Sequence, residues 1–203
     1  MKLTRLGTLI AGVSLALAAP AATAEKPAAK PPKRAAADPC AERVFSPLFA
    51  PWHDRALYTL APGGDFETQA EGWTLEGGAV VAAESSPFLL GAALGTGSLE
   101  LPAGAWVLSP PICVERGFPG FRVVARSADG GVAKVQVVYA SGNVKKAGRL
   151  KPATDWRVSR KLSLAQGRFR VRRRESTTVQ LRFAATAGTV RLDDVYVDPR
   201  YHR

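Results

Sequence analysis

The sequence predicts an all-β protein built as an antiparallel β-sandwich with little helix, and three observations predict it. Beyond residue 60 the chain is a succession of short runs rich in Val, Phe, Tyr, Thr and Leu, broken by Gly, Pro, Asp and Asn. That is the pattern of a sandwich or barrel. Several runs alternate between apolar and polar residues, the period of a strand with one buried face. Outside the N-terminus no window keeps apolar residues at the 3.6-residue helical spacing for long.

From the N-terminus, Lys2 and Arg5 precede an apolar run over 6–19, followed by Pro20 and the small residues Ala22-Thr23-Ala24. Residues 1–24 therefore read as a cleaved secretory signal, and Pro20 argues against an uncleaved membrane helix. The remaining chain is expected to be secreted, extracellular or in the cell envelope, with no transmembrane segment left. Residues 25–39 are Pro, Ala and basic residues, with Lys26-Pro27 and Lys30-Pro31-Pro32-Lys33-Arg34. They cannot bury enough surface to fold and read as an extended linker to one domain over 40–203. The two cysteines, Cys40 and Cys113, are expected to form one disulfide in an oxidising compartment, pinning the patternless stretch 40–58 onto the fold. Two thiols without clustered histidines do not complete a zinc site.

The expected strands are 72–75, 79–83, 98–101, 106–109, 121–126, 132–139, 148–151, 162–164, 168–173, 178–183 and 190–197. Ala128-Asp129-Gly130-Gly131, Ser141-Gly142-Asn143 and Ala187-Gly188 supply the turn chemistry between the later ones. Phe121, Val123 and Ala125 alternate with Arg122, Val124 and Arg126. Val135, Val137 and Tyr139 alternate with Lys134, Gln136 and Val138, and Val179, Leu181 and Phe183 with Gln180 and Arg182. Phe169 and Val171 alternate with Arg168, Arg170 and Arg172. If these strands share a sheet, one face packs the core and the other carries a field of arginine. The chain holds 28 Lys and Arg against 17 Asp and Glu, a net charge of +11, or +9 once Lys2 and Arg5 are removed with the signal. Guanidinium groups grip oxyanions bidentately, so Lys134, Gln136, Arg170, Arg172 and Arg182 are the candidate ligand-binding residues, for an acidic polysaccharide or cell-envelope polymer. The competing reading is a solvated basic surface. No helix-turn-helix, zinc finger or RNA motif points to nucleic acid.

Two phrases bracket the domain: Gly63-Gly64-Asp65-Phe66-Glu67 with Gly72-Trp73, and Leu192-Asp193-Asp194-Val195. Together they resemble the carbohydrate-binding-module jelly rolls, the galactose-binding-like superfamily of secreted bacterial proteins. The order Cys40, Trp52, Tyr58-Thr59-Leu60-Ala61-Pro62, Ser98-Leu99, Ser109-Pro110-Pro111, Cys113 and Trp156 extends that resemblance over about residues 40–200. The resemblance implies a jelly roll of about eight to ten strands in which the two phrases meet as first and last strands. It also implies a structural calcium ion whose metal ligands are Glu67 and Asp193, with carbonyls around Gly64 and with Asp65 and Asp194 as substitutes. Against this stands the reading that these carboxylates satisfy backbone amides or pair with arginine. Sugar-binding members stack their ligand on aromatic rings. Here Trp73 and Trp106 read as core or rim fillers, leaving Trp156, after the loop 151–155, as the exposed candidate.

Enzyme signatures are lacking. Trp52-His53-Asp54 has no nucleophile context, and the spacing of Glu71, Glu76 and Glu84 says nothing about a glycosidase carboxyl pair. The expectation is a non-catalytic binding module, with a structural or protein-interaction domain of the cell envelope as the alternative.

Overall fold

A computed structural model describes residues 40, 43–91, 93–115, 120–164 and 176–198, all within the compact unit Ala37–Arg203. The expected signal, linker and strand 168–173, with Arg170 and Arg172, lie outside the described residues. One 3-10 turn (Ala50–Trp52) precedes thirteen strands: β1 (Thr59–Leu60), β2 (Thr74–Glu76), β3 (Val80–Ala82), β4 (Ser98–Leu101), β5 (Trp106–Leu108), β6 (Ile112–Glu115), β7 (Gly120–Arg126), β8 (Val132–Tyr139), β9 (Val144–Leu150), β10 (Arg157–Val158), β11 (Leu162–Ser163), β12 (Ser176–Ala187) and β13 (Val190–Asp198). A first sheet runs β10, β7, β13, β4, β3, with β1 also on β13 and β11 also on β7; a second runs β2, β5, β12, β8, β9, with β6 also on β12. Every pairing is antiparallel.

The alternation decides which face is buried. Phe121, Val123 and Ala125 of β7 and Leu99 and Leu101 of β4 meet Val135, Val137 and Tyr139 of β8 and Val179, Leu181 and Phe183 of β12 in one core between the sheets. Each such aliphatic or phenyl side chain contributes about 1.5–3 kcal/mol on full burial. Phe183 sits edge-on to Phe121 at 6.3 Å and stacks with Trp73 at 6.4 Å. Trp73 therefore belongs to the core, as expected, and its indole N–H donates to the Pro62 carbonyl at 2.9 Å.

The outer face of the first sheet is covered. The segment 43–58 crosses it, packing Phe49 and Tyr58 with Leu90 onto Val124 and Tyr196 in a second apolar cluster. Asp54 fastens this layer: it accepts from Arg122 at 2.8 Å and from the Tyr58 hydroxyl at 2.7 Å. A Cys40–Cys113 disulfide, Cα to Cα 5.0 Å, ties the start of the segment to β6.

Two expectations are corrected. The opening phrase forms successive turns, not a strand; the strand that lies beside β13 is β1, just before it. The two phrases still touch, because the Gly64 carbonyl accepts from Val195 N–H at 2.9 Å. A side chain at Gly64 would bring its Cβ to 2.9 Å from the Val195 oxygen, so glycine is required there. Second, β7 does not share a sheet with β8 and β12, and the arginine field is divided between two outer faces.

The register of β13 also breaks in the closing phrase. Asp193 pairs with Val124 and Tyr196 with Arg122, so Asp194 and Val195 oppose the single residue Val123. Asp194 takes a φ of 51°, a β-bulge conformation that Asp tolerates better than most residues. The bulge keeps Val195 and Val197 in the core while turning Asp193 and Tyr196 outward.

Candidate functional site

The outer face of the second sheet is half-buried to exposed along its described residues, and the strand registers place them in rows. One row reads Glu76, Trp106, Ala184, Lys134, Arg149 across β2, β5, β12, β8 and β9. The next reads Thr74, Leu108, Arg182, Gln136, Lys146 across the same strands. With strands about 4.8 Å apart, each row of five spans about 19 Å. Three of the residues expected from sequence thus come together: Arg182 is directly opposite Gln136, and Lys134 is in the adjoining row. Lys146, Arg149 and Trp106 join them, and none of these three was expected.

Trp106 corrects the reading of it as filler. It belongs to neither apolar cluster, and the Arg182 guanidinium carbon lies 4.4 Å from its ring centroid. The contact follows from the register, since Arg182 faces Leu108 and so reaches Trp106 diagonally across the same face.

Charge balance separates the two outer faces. On the first sheet Arg122 pairs with Asp54, Arg126 with Glu84, and Arg191 with both Glu84 and Glu100. On the second sheet Lys134, Lys146, Arg149 and Arg182 make no ion pair among the described residues. Arg182 goes further: its Nε is buried with no hydrogen-bond partner. Trp156, the remaining aromatic candidate, is half-buried on the first sheet against the second apolar cluster, with Arg126 5.8 Å from its ring. It therefore lies on the opposite side of the sandwich from Lys134, Gln136 and Arg182.

The two candidate metal ligands are each held by the loop between β3 and β4, through different residues of it. Asp193 is 1% exposed; its Oδ2 accepts from Ser86 N–H at 2.7 Å and Ser85 Oγ at 3.0 Å. Its other oxygen, Oδ1, accepts from Asp194 N–H at 2.8 Å. Glu67 Oε1 accepts from Thr96 and Gly97 N–H at 2.7 and 2.9 Å, and its Oε2 from the Thr96 hydroxyl at 2.7 Å. Burial pushes the Glu67 carboxyl up, but these donors outweigh it and hold the group below the usual range. Asp194, whose Oδ2 accepts from Ser86 Oγ at 2.8 Å, is pushed up to about 7 by burial and by the charge of Asp193, with Asp65 and Glu67 adding to it. An all-oxygen set of this kind suits a hard cation chemically. The geometry does not converge: Glu67 and Asp193 already hold amide and hydroxyl donors, and among the described residues no three Asp, Glu, His or Cys side chains are grouped to hold a metal ion.

The Trp52-His53-Asp54 triplet has a structural explanation. Asp54 accepts from Ala56 N–H, Tyr58 and Arg122, and His53 closes the 3-10 turn with a φ of 59°.

No protein-family model and no curated protein matches the sequence. Solved structures similar to the chain include carbohydrate-binding modules and parts of larger enzymes, among them a bacteriophage CBA120 tailspike domain. TmCBM61, in complex with β-1,4-galactotriose, is 14% identical with a TM-score of 0.45, the match covering 68% of this chain and 96% of that one. The C-terminal family 6 module of LamC, a marine laminarinase from Zobellia galactanivorans, is 16% identical at 0.45, covering 64% and 95%. The CBM22-1 xylan-binding domain of Paenibacillus barcinonensis Xyn10C is 15% identical at 0.45, covering 69% and 94%. Those ligands belong to those proteins, and the site described above stands on the residues of this chain alone.

Proposed function

We propose that this domain is a secreted, non-catalytic carbohydrate-binding module that holds an acidic polysaccharide or cell-wall polymer on the outer face of its second sheet. The observation that carries the reading is the contrast between faces: the outward arginines of the first sheet are neutralised, whereas four cations around Gln136 and Trp106 on the second have no counter-ion among the described residues. An outer face some 19 Å wide suits an extended polymer. Unpaired guanidinium and ammonium groups suit its oxyanions. Export by residues 1–24 and display on the linker 25–39 complete the proposal.

Affinity electrophoresis through gels containing neutral or acidic polysaccharides tests it, at low salt and at roughly 0.5 M, where exposed charges are largely screened. Retardation by acidic polymers alone is expected, lost in high salt and in the triple variant Lys134→Ala, Lys146→Ala, Arg149→Ala. Salt-resistant retardation by a neutral glycan, or none by any polymer, would overturn it. The second reading, a structural or protein-interaction domain of the envelope, would then lead; it draws on Trp52, Leu89 and Leu94, apolar side chains left exposed outside the two sheets. A calcium ion on Glu67 and Asp193 would play a structural part in either reading. It would have to draw both off the donors that now hold them, and is expected to raise the melting temperature without changing affinity for polymer.

A further inference from the structure

Arg182 is the one cation on the outer face of the second sheet whose surroundings are built rather than merely solvated. Its Nε has lost contact with solvent and, among the described residues, has no hydrogen-bond partner in exchange. No carboxylate pairs with it among the described residues. A buried guanidinium N–H without an acceptor is unfavourable, and the Trp106 ring 4.4 Å from the guanidinium carbon offsets that only in part. Lys134, Lys146 and Arg149, by contrast, are exposed and keep their hydration.

We propose that Arg182 and Trp106 together form the specificity-determining unit of the face, reading the carboxylate of a hexuronate residue, with Gln136 beside it to meet the sugar hydroxyls. This rests on the polysaccharide-binding reading above. Because Nε is sealed off, an oxyanion reaches the guanidinium through its two terminal nitrogens, end-on. Trp106 covers one side of the group, and the negative face of an aromatic ring repels oxygen lone pairs placed near it. A planar carboxylate can engage both terminal nitrogens with its oxygens kept in the guanidinium plane. A tetrahedral sulfate ester can place two oxygens there too, but its remaining oxygens stand out of that plane, one of them toward the ring, where they are repelled. A neutral sugar gains no charge pairing, and finds one side of the Trp106 ring already taken by Arg182. Gln136, directly across from Arg182 in the register, offers both a donor and an acceptor to neighbouring hydroxyls.

The experiment measures affinity of the chain as secreted for polygalacturonate, for the same polymer with its carboxyls reduced to alcohols, and for dextran sulfate, each over a range of salt. Three variants are compared: Arg182→Lys, which keeps the charge and loses the planar fork; Trp106→Leu, which removes a ring outside both cores; and Lys134→Ala with Lys146→Ala. Thermal melts confirm that each variant is folded. Polygalacturonate binding is expected to fall at least about tenfold in Arg182→Lys and in Trp106→Leu with its salt dependence kept. Dextran sulfate binding should change less than threefold in both. The double lysine variant should weaken both anionic polymers and flatten their salt dependence, and the carboxyl-reduced polymer should bind none of the proteins. Wild-type affinity of Arg182→Lys for polygalacturonate, alongside a weakened double lysine variant, would overturn the unit and leave the basic face standing. Equal losses for dextran sulfate and polygalacturonate in Arg182→Lys would overturn the choice of carboxylate. Polygalacturonate binding unmoved by every variant would overturn the face itself.

Discussion

In metal-free, chelator-containing buffer the domain is expected to become more stable as the pH falls from 9 to 5, opposite to what most ion-paired carboxylates produce. The cause is Asp194, half-buried beside Asp193 in the bulge of β13, with a carboxyl pushed up to about 7 against an ordinary value of 3.8. A carboxyl whose folded pKa lies above its unfolded one takes up a proton on folding, so acid favours the native state between those two values. At pH 9 both states are ionised and the effect is absent. At pH 5 the folded group is protonated and the unfolded one is not, a difference of about two pH units, or roughly 2–3 kcal/mol. For a domain of this size that raises the melting temperature by about 5–10 °C. Asp54 and Glu67 are held below their ordinary values by their hydrogen-bond donors, so their stabilisation is lost only on falling below about pH 4. The assay is thermal unfolding by circular dichroism at half-unit steps of pH, for the wild type and for Asp194→Asn, whose profile should be flat from 9 to 5. Parallel profiles for the two proteins would refute the reasoning. Adding millimolar calcium serves as a control, because an ion bound at Glu67 and Asp193 would keep the carboxylates charged and flatten the wild-type profile.

Two further outcomes concern the layer over the first sheet. Replacing Cys40 and Cys113 together by Ser opens a loop spanning 73 residues in sequence and is expected to cost about 4 kcal/mol in the chain-entropy account, read as a lower urea midpoint with a steeper slope, because the unfolded chain expands. Asp54→Ala strands Arg122, whose side chain is 13% exposed, and should cost about 3–5 kcal/mol, most of it recovered when Arg122 is also made Met.

The sandwich was legible because its long strands are buried on one face only. Val135, Val137 and Tyr139 against Lys134 and Gln136, and Val179, Leu181 and Phe183 against Gln180 and Arg182, leave one orientation open to each strand. That same alternation is silent on neighbours, so Arg122 and Arg126 of β7 were grouped with Arg182, which lies in the other sheet. β9 begins at Val144, earlier than expected, because Val144, Lys145 and Lys146 are all exposed and carry no apolar period. β1 and β10 are two residues long, too short to show one. Trp106 was misread because its strand places apolar residues on both faces, Val107 inward and Trp106 and Leu108 outward. The fully buried Val107 decides between them, and burial is not written in a run of three apolar residues. The contact between the two phrases, through Gly64 and Val195, followed from reading them together. Ser85, Ser86, Thr96 and Gly97 came from a loop without regular structure, and their amides and hydroxyls decide how Glu67 and Asp193 are held.

The central claim, that the outer face of the second sheet is the binding surface, is tested most directly by amide chemical-shift mapping during titration with an oligogalacturonate. Shifts are expected to be confined to β5, β8, β9 and β12 around Trp106, Lys134, Gln136, Lys146, Arg149 and Arg182, fading as salt is raised. Shifts centred instead on Trp52, Phe88 and Tyr196, on the covered face of the first sheet, would contradict it.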